Sequence, residues 1–336
     1  MDLPKRSAIL GWGFAVPETV ITNDDLAPIV DTSNEWVIKR TGIHERRYVD
    51  NDQGSVPLAE RAARQALSVA RRTLEEVDAV LCASLSPDID FPGNSSLLQE
   101  RLGLGPCLAF DIRNQCSGFV YALSVADVLV RTGAARCVLV VGSEVHSSGL
   151  DFQGSRGRDV TVLFGDGAGA VIVGAGDENR GLLAVHLHAD GRFSDKLAVL
   201  GPAHKRKPRV DVSLAPPESP FIYPVMEGRL VFKHAVENMT QVVKDVAAEA
   251  GITVDDINML LPHQANLRIN QLVAMGLKIG DERMANNIER YGNTTAATIP
   301  ILLTEVMQAG RIHTGDIVCM AAFGAGFTWG AALYRW

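Results

Sequence analysis

Three side chains in this 336-residue chain could share one piece of acyl chemistry: Cys116, His263 and Asn293. A cysteine can carry an acyl group as a thioester, a histidine can donate a hydrogen bond or move a proton, and a carboxamide can supply a second polarising donor. Cys116 lies in Asn114-Gln115-Cys116-Ser117-Gly118. Its polar neighbours set it apart from Cys82, Cys107, Cys137 and Cys319, which read as small buried hydrophobes. The apolar run Leu108 to Ile112 before it reads as a strand, and a helix is expected from about Phe119 to Arg131. A cysteine at a helix start meets unpaired N–H groups and the positive end of the dipole, so a lowered thiol pKa is expected. His263 follows Met259-Leu260-Leu261-Pro262, at the carboxyl end of a second expected strand. Asn293 stands in the turn Tyr291-Gly292-Asn293-Thr294 that enters another helix, where on spacing alone it reads equally well as an N-cap.

The order Cys, His, Asn also suits a papain-like peptidase, whose histidine lies about 130–150 residues downstream. Here the interval is 147 residues. The flanks argue against it, because Gln115-Cys116-Ser117 is not the Cys-Gly-Ser/Ala-Cys-Trp/Tyr of those enzymes. His186 and His188 alternate on one strand face with no third ligand in view, so no metal site is expected. The segment Phe164-Gly165-Asp166-Gly167-Ala168-Gly169-Ala170 lacks both the Lys-Ser/Thr of a P-loop and the G-x-G-x-x-G spacing, and reads as a structural turn.

What positions these groups is an internal repeat. Shifted by 180 residues, Thr73-Leu74-Glu75-Glu76-Val77-Asp78-Ala79-Val80-Leu81 falls without a gap on Thr253-Val254-Asp255-Asp256-Ile257-Asn258-Met259-Leu260-Leu261. At the same offset Cys137 to Val141 falls on Ile317 to Ala321, and Arg131 on Arg311. In each half an alanine-rich helical stretch (Leu58 to Arg72; Thr240 to Ala250) runs through an acidic turn into an apolar strand. Continuous apolar strands imply sheets covered on both faces, so the chain reads as α/β in two halves, 1–175 with the cysteine and 176–336 with the histidine and asparagine. Ligands of such sheets collect beyond the carboxyl ends of the strands, where Cys116 and His263 lie. The repeat sets Ala83 against His263, so the fold itself does not require an imidazole there.

Composition narrows the functional classes. A net charge of −7 speaks against a nucleic-acid binder, which must neutralise phosphates. The one basic run, His204-Lys205-Arg206-Lys207-Pro208-Arg209, reads as a solvated loop or as a docking patch for an acidic partner. No run of 18 apolar residues and no signal-peptide pattern is present, so no membrane contact and a cytoplasmic location are expected. Five cysteines without a C-x-x-C pair predict reduced thiols.

Taken together the segments resemble the thiolase superfamily and, within it, the β-ketoacyl-[acyl-carrier-protein] synthase III family. The resemblance runs through Asp31-Thr32-Ser33-Asn34-Glu35-Trp36, Arg40-Thr41-Gly42-Ile43, the Cys116 segment, Phe164 to Ala170, Pro262-His263-Gln264-Ala265-Asn266, Gly292-Asn293-Thr294 and Phe323 to Gly330. It implies a duplicated, five-layered αβαβα thiolase-like fold. It further implies that Cys116 takes an acyl group from acyl-CoA, and that His263 and Asn293 hold the thioester carbonyl of a malonyl-[acyl-carrier protein] while carbon dioxide leaves. The backbone N–H groups of Cys116 and Ala325 are implied as the oxyanion donors, with no metal or organic cofactor, acyl-CoA being a substrate. Trp36, Arg40 and Arg158 match residues around the CoA nucleotide, and Asn266 and Phe323 match the pantetheine tunnel. Read by itself, Trp36 is a core residue. Arg268 matches a carrier-protein docking position. Phe91 matches a residue that reaches across a homodimer into the partner's acyl pocket, and His146 stands where an apolar residue often limits that pocket.

Three places depart from the family pattern. Arg113-Asn114-Gln115 replaces small residues before the nucleophile, Arg229 stands where an asparagine commonly lies, and His146 is polar. These leave the trio intact and touch the choice of acyl donor and acceptor. A same-fold acyltransferase, a condensing enzyme of specialised metabolism and a non-catalytic partner subunit are the other readings.

Overall fold

The alanines of helix Ser55–Ala70 explain how the first half is built. Ala59, Ala62, Ala63 and Ala66 share its buried side, and this small stripe lets strand Ser7–Ala15 lie directly against it. A Cβ added at Gly13 would come within 2.4 Å of the Ala62 carbonyl oxygen, so that strand position must be glycine. The computed structural model describes residues 3–152, 158–205, 207–210 and 222–336.

The first sheet has five strands in the order Ser7–Ala15, Gly167–Ala175, Cys137–Glu144, Ala79–Ala83 and Leu108–Ile112. The second has four, Met259–Pro262, Ile317–Gly324, Thr328–Arg335 and Gly181–Ala189. Helices Gly118–Arg131 and Thr298–Gln308 lie between the sheets. Phe119, Ala126, Ile299 and Leu303 join Leu81, Val140, Leu261 and Met320 of the two sheets in one buried cluster. Helix Ser55–Ala70 covers the outer face of the first sheet, and helices Gly228–Glu249 and Leu267–Leu277 cover that of the second. The layers are therefore α, β, α, β, α. Each fully buried leucine or valine in them contributes roughly 1.5–3 kcal/mol.

The repeat holds in local detail. Thr73 with Glu76, and Thr253 with Asp256, form the same reciprocal cap on the turn that enters a strand. The first outer helix stops at Ala70 because Arg71 takes a left-handed conformation, φ 53°, which frees Thr73 to start the capped turn. The second begins at Gly228 rather than near Thr240, since Ala235 and Met239 extend the buried stripe backwards from Val242. Strand Leu108–Ile112 forms an edge, with Leu108 and Phe110 exposed beside an exposed Phe91.

Candidate active site

The chain turns from strand Leu108–Ile112 into helix Gly118–Arg131 through a 3₁₀ turn, Gln115–Ser117, that holds Cys116. Gln115 takes φ 46°, a left-handed conformation that costs a non-glycine residue roughly 1–3 kcal/mol. The second half repeats this corner 180 residues on. There Thr295 has φ 50° in the 3₁₀ turn Thr295–Ala297, ahead of helix Thr298–Gln308, and Ala296 holds the place of the cysteine. The two corners pack against each other, the first also against strand Ile317–Gly324 and the second against strand Cys137–Glu144.

Cys116 is buried, and burial pushes its thiol up to about 12, with the Glu144 carboxylate adding to the rise. The backbone N–H groups of Cys116 and Ala325 pull the other way. The lowered thiol pKa expected from a helix start is thus not found. Dipole terms of about 0.3–1 kcal/mol lose to desolvation, because each pKa unit is worth about 1.4 kcal/mol. Glu144, buried at the end of strand Cys137–Glu144, is itself pushed up to about 7 by burial, although it accepts from the Ser86 hydroxyl and the Leu85 and Ser86 N–H groups.

Gly324 fixes the sulfur's position. A Cβ there would come within 2.8 Å of the Cys116 Cβ and 3.0 Å of its nitrogen, both rigid parts of the corner. Gly324→Ala is expected to fold yet to lose roughly ten- to a hundredfold in the rate of Cys116 acylation, because displacements of about 1 Å cost that much. Mass spectrometry of the Cys116 peptide over time measures it, and an unchanged rate would mean that the corner yields freely.

His263 follows strand Met259–Pro262, its N–H bonded to the Ala321 carbonyl at 2.8 Å. Nδ1 lies 2.7 Å from the Thr298 hydroxyl, while Nε2 is buried and has no partner. Burial pulls this imidazole down to about 3, so it is neutral at any working pH. Asn293 is held by backbone bonds to Leu163 and Gly165, and its Oδ1 accepts from the Thr295 N–H at 2.8 Å. It is therefore a turn-forming asparagine and not a helix N-cap. That bond fixes the rotamer and leaves Nδ2 without a protein acceptor. Thr298 also bonds to the Thr295 carbonyl at 3.0 Å, so His263, Thr298, Thr295 and Asn293 form one connected set.

A cavity of about 440 Å³ opens beside the cysteine. Cys116, His146, Thr295 and Ala325 line it, together with Arg113 and Gln115 from the segment before the cysteine. His263 and Asn293 lie outside its wall. The His146 ring bonds through Nε2 to the Thr295 hydroxyl at 2.5 Å and packs on Phe164 at 4.6 Å; burial pulls it down to about 4. The Phe164 to Ala170 segment supplies Asp166, whose carboxylate accepts from the N–H groups of Val49, His146 and Ser147 before strand Gly167–Ala175 begins.

Trp36, Arg40 and Arg158 come together at the surface. The Arg158 and Arg40 guanidinium carbons lie 4.3 and 4.9 Å from the indole centroid, and Arg158 also reaches Asp31 at 3.3 Å. Asn266 caps helix Leu267–Leu277 and donates to the Arg40 carbonyl at 3.0 Å, linking this patch to the His263 loop. Phe323 is buried against Phe327 and Trp329. Arg268 and Arg229 are exposed, and so is Phe91. In the basic run, Arg209 forms two bonds to Asp90 at 2.6 and 2.8 Å, so it is not simply solvated; Arg206 lies outside the described residues. His186 contacts Glu249 and His188 stacks on Trp329. Among the described residues no three His, Cys, Asp or Glu side chains are grouped to hold a metal, and no helix is long and apolar enough to cross a membrane.

The family description "3-Oxoacyl-[acyl-carrier-protein (ACP)] synthase III" matches residues 110–191, and its C-terminal counterpart matches residues 247–336. A beta-ketoacyl-[acyl-carrier-protein] synthase III of Rhodospirillum centenum is 44% identical, over 99% of this chain and 100% of its own. The chain belongs to the β-ketoacyl-[acyl-carrier-protein] synthase III family. Among solved structures, the synthase III of Aquifex aeolicus is similar with a TM-score of 0.89 at 39% identity, covering 98% of this chain and 100% of its own. The priming β-ketosynthase of the R1128 polyketide pathway is similar with a TM-score of 0.91 at 30% identity, covering 100% of this chain and 98% of its own. The duplicated thiolase-like fold and an acyltransferase of the condensing type follow from membership of the synthase III family.

Sequence reasoning passed over Thr295, Thr298 and Glu144, and named Gly324 only within the turn offered for the oxyanion. One signal was available for Thr298, because the 180-residue offset sets it against Gly118, a polar residue where the other half has none.

Proposed function

We propose that this enzyme loads an acyl group from acyl-CoA onto Cys116 and condenses it with a malonyl-[acyl-carrier protein], releasing carbon dioxide and a 3-oxoacyl product. The observation that carries the reading is that His263 Nε2 and Asn293 Nδ2, two nitrogens with no hydrogen bond to the protein, belong to one hydrogen-bonded set packed against the Cys116 corner. Two neutral donors suit an enolate, which forms when the malonyl carboxylate departs and leaves its electrons on the thioester. That carbanion attacks the acyl-Cys116 carbonyl, and collapse of the adduct expels the Cys116 thiolate, which takes up one proton from solvent to restore the thiol. In the loading step the Cys116 proton leaves with CoA as its thiol. The N–H groups of Cys116 and Ala325, which lower the thiol's pKa against the rise from burial, are assigned to the oxyanion of both steps, at roughly 3–4 kcal/mol per donor. No metal or organic cofactor enters this scheme.

Trp36 with Arg40 and Arg158 is assigned to the CoA nucleotide, where indole stacks adenine and guanidinium pairs with phosphate. A base entering there must part Arg158 from the indole. Asn266 and Phe323 are assigned to the pantetheine path, Arg268 to carrier-protein docking, and His146 to the acyl pocket. The exposed Phe91, beside the apolar edge strand, is assigned to a homodimer contact in a cytoplasmic enzyme. A second reading, a condensing enzyme of specialised metabolism, is favoured by Arg113, Gln115 and His146 in the cavity wall and by the likeness to a polyketide priming synthase.

The test is direct. Incubation with acyl-CoA of several lengths should add one acyl mass to the Cys116 peptide, and malonyl-[acyl-carrier protein] should then release carbon dioxide and discharge it. No adduct at any length would overturn the reading, and discharge without carbon dioxide would favour a plain acyltransferase.

A further inference from the structure

One hydroxyl proton decides what His263 can do. Thr298 is the first residue of its helix, and its Oγ1 lies 2.7 Å from His263 Nδ1 and 3.0 Å from the Thr295 carbonyl oxygen. A hydroxyl has one proton to give. If Thr298 gives it to Thr295, then Oγ1 must accept from Nδ1–H, and Nε2 is left as a bare acceptor. If Thr298 gives it to Nδ1, the ring proton sits on Nε2, which becomes a donor. The imidazole is neutral in its buried setting, so it has a single proton to place.

Two observations favour the second arrangement. The Thr295 carbonyl already accepts the Thr298 backbone N–H, so it does not need the hydroxyl, whereas Nδ1 has no other partner. The contact to Nδ1 is also the shorter of the two. We propose that Thr298 is a positioning residue that donates its hydroxyl proton to His263 Nδ1 and thereby holds the ring in the Nε2–H form, turned toward the incoming thioester carbonyl. The same residue joins His263 to Thr295, whose N–H orients Asn293, so one threonine pair aligns both donors. The cost is a buried Nε2–H with no partner within the protein, and the substrate carbonyl relieves it.

The inference rests on the donor role given to His263 above, and its test separates the two. Nitrogen NMR of the full-length enzyme with ¹⁵N-labelled histidine should show His263 with a protonated Nε2 and a bare Nδ1, and Thr298→Val should lose that preference. A wild-type ring protonated at Nδ1, or a spectrum that Thr298→Val leaves unchanged, overturns the proposal. In turnover, Thr298→Val should slow release of carbon dioxide from malonyl-[acyl-carrier protein] about tenfold more than it slows Cys116 acylation, since a wrong tautomer removes a donor and leaves the nucleophile alone. Thr298→Ser should restore the rate. Equal slowing of both steps, or no rescue by serine, would reduce Thr298 to packing. If His263→Ala released carbon dioxide at the normal rate, the function assigned to His263 would fall while the nitrogen spectrum still decided the tautomer.

Discussion

Cys116→Ser should accept no measurable acyl group and should lose condensation by about 10⁴-fold or more, the scale on which enzymes lose their nucleophile. Release of carbon dioxide from malonyl-[acyl-carrier protein] should survive, because His263 and Asn293 are fixed by Thr298, Thr295, Leu163 and Gly165 and not by the sulfur. Mass spectrometry of the intact protein reads the first outcome, and trapped labelled carbon dioxide the second. An acyl adduct on the variant would place the nucleophile elsewhere. The resting thiol carries a further expectation. Since burial and Glu144 push it up to about 12, the wild-type enzyme should react slowly with iodoacetamide at neutral pH, far below the rate of a free thiol. Rapid alkylation at pH 7 would contradict that environment. In the proposed scheme acyl-CoA need not wait for a resting thiolate, because oxyanion donors gain most when charge develops on the substrate oxygen.

Cys116 and His263 were legible in the sequence for the same reason that the fold was. Both follow apolar strands, and the 180-residue repeat sets the strand before His263 on Ala79–Ala83, the sheet neighbour of the strand before Cys116. The repeat also carried the corner, down to matched left-handed residues at Gln115 and Thr295, although nothing in either residue type announces a positive φ. What stayed hidden depends on distance through space. The thiol pKa turned on how completely the corner is buried and on Glu144 beneath it, neither of which a local pattern contains. Asn293 looked like a cap because its neighbours in sequence allow one. Only the fold shows the Thr295 N–H taking its oxygen and leaving its nitrogen free. Trp36 was a core residue by composition and a ligand residue by resemblance, and it is half of each: it packs against Val37 and Ile43 and still presents its ring to Arg40 and Arg158.

His263→Ala should show the converse of the serine variant. Acylation of Cys116 should continue at a comparable rate, while carbon dioxide release and condensation fall by about 10²–10³-fold, the usual loss for one preorganised donor to a developing oxyanion. Asn293→Ala should fall in the same range. The double variant should lose less than the product of the two, because the two side chains are coupled through the shared Thr295 and Thr298 contacts and in the proposed scheme serve one oxygen. The pH dependence identifies the group further. Folding pulls His263 from an ordinary 6.5 to about 3, so the folded enzyme keeps it neutral while the unfolded chain protonates it below about 6.5. The unfolded state then binds the extra proton, and this residue's contribution to stability is lost as pH falls from 6.5 toward 3. Catalysis should accordingly show no inflection near 6.5 that His263→Ala removes. An inflection near 7 that survives in the variant belongs to another group, and Glu144, raised to about 7 beside the nucleophile, is the one placed to cause it. A wild-type rate that drops below pH 6.5 and a variant that does not would mean that His263 works as a titrating base, and the role of a fixed neutral donor would have to be given up.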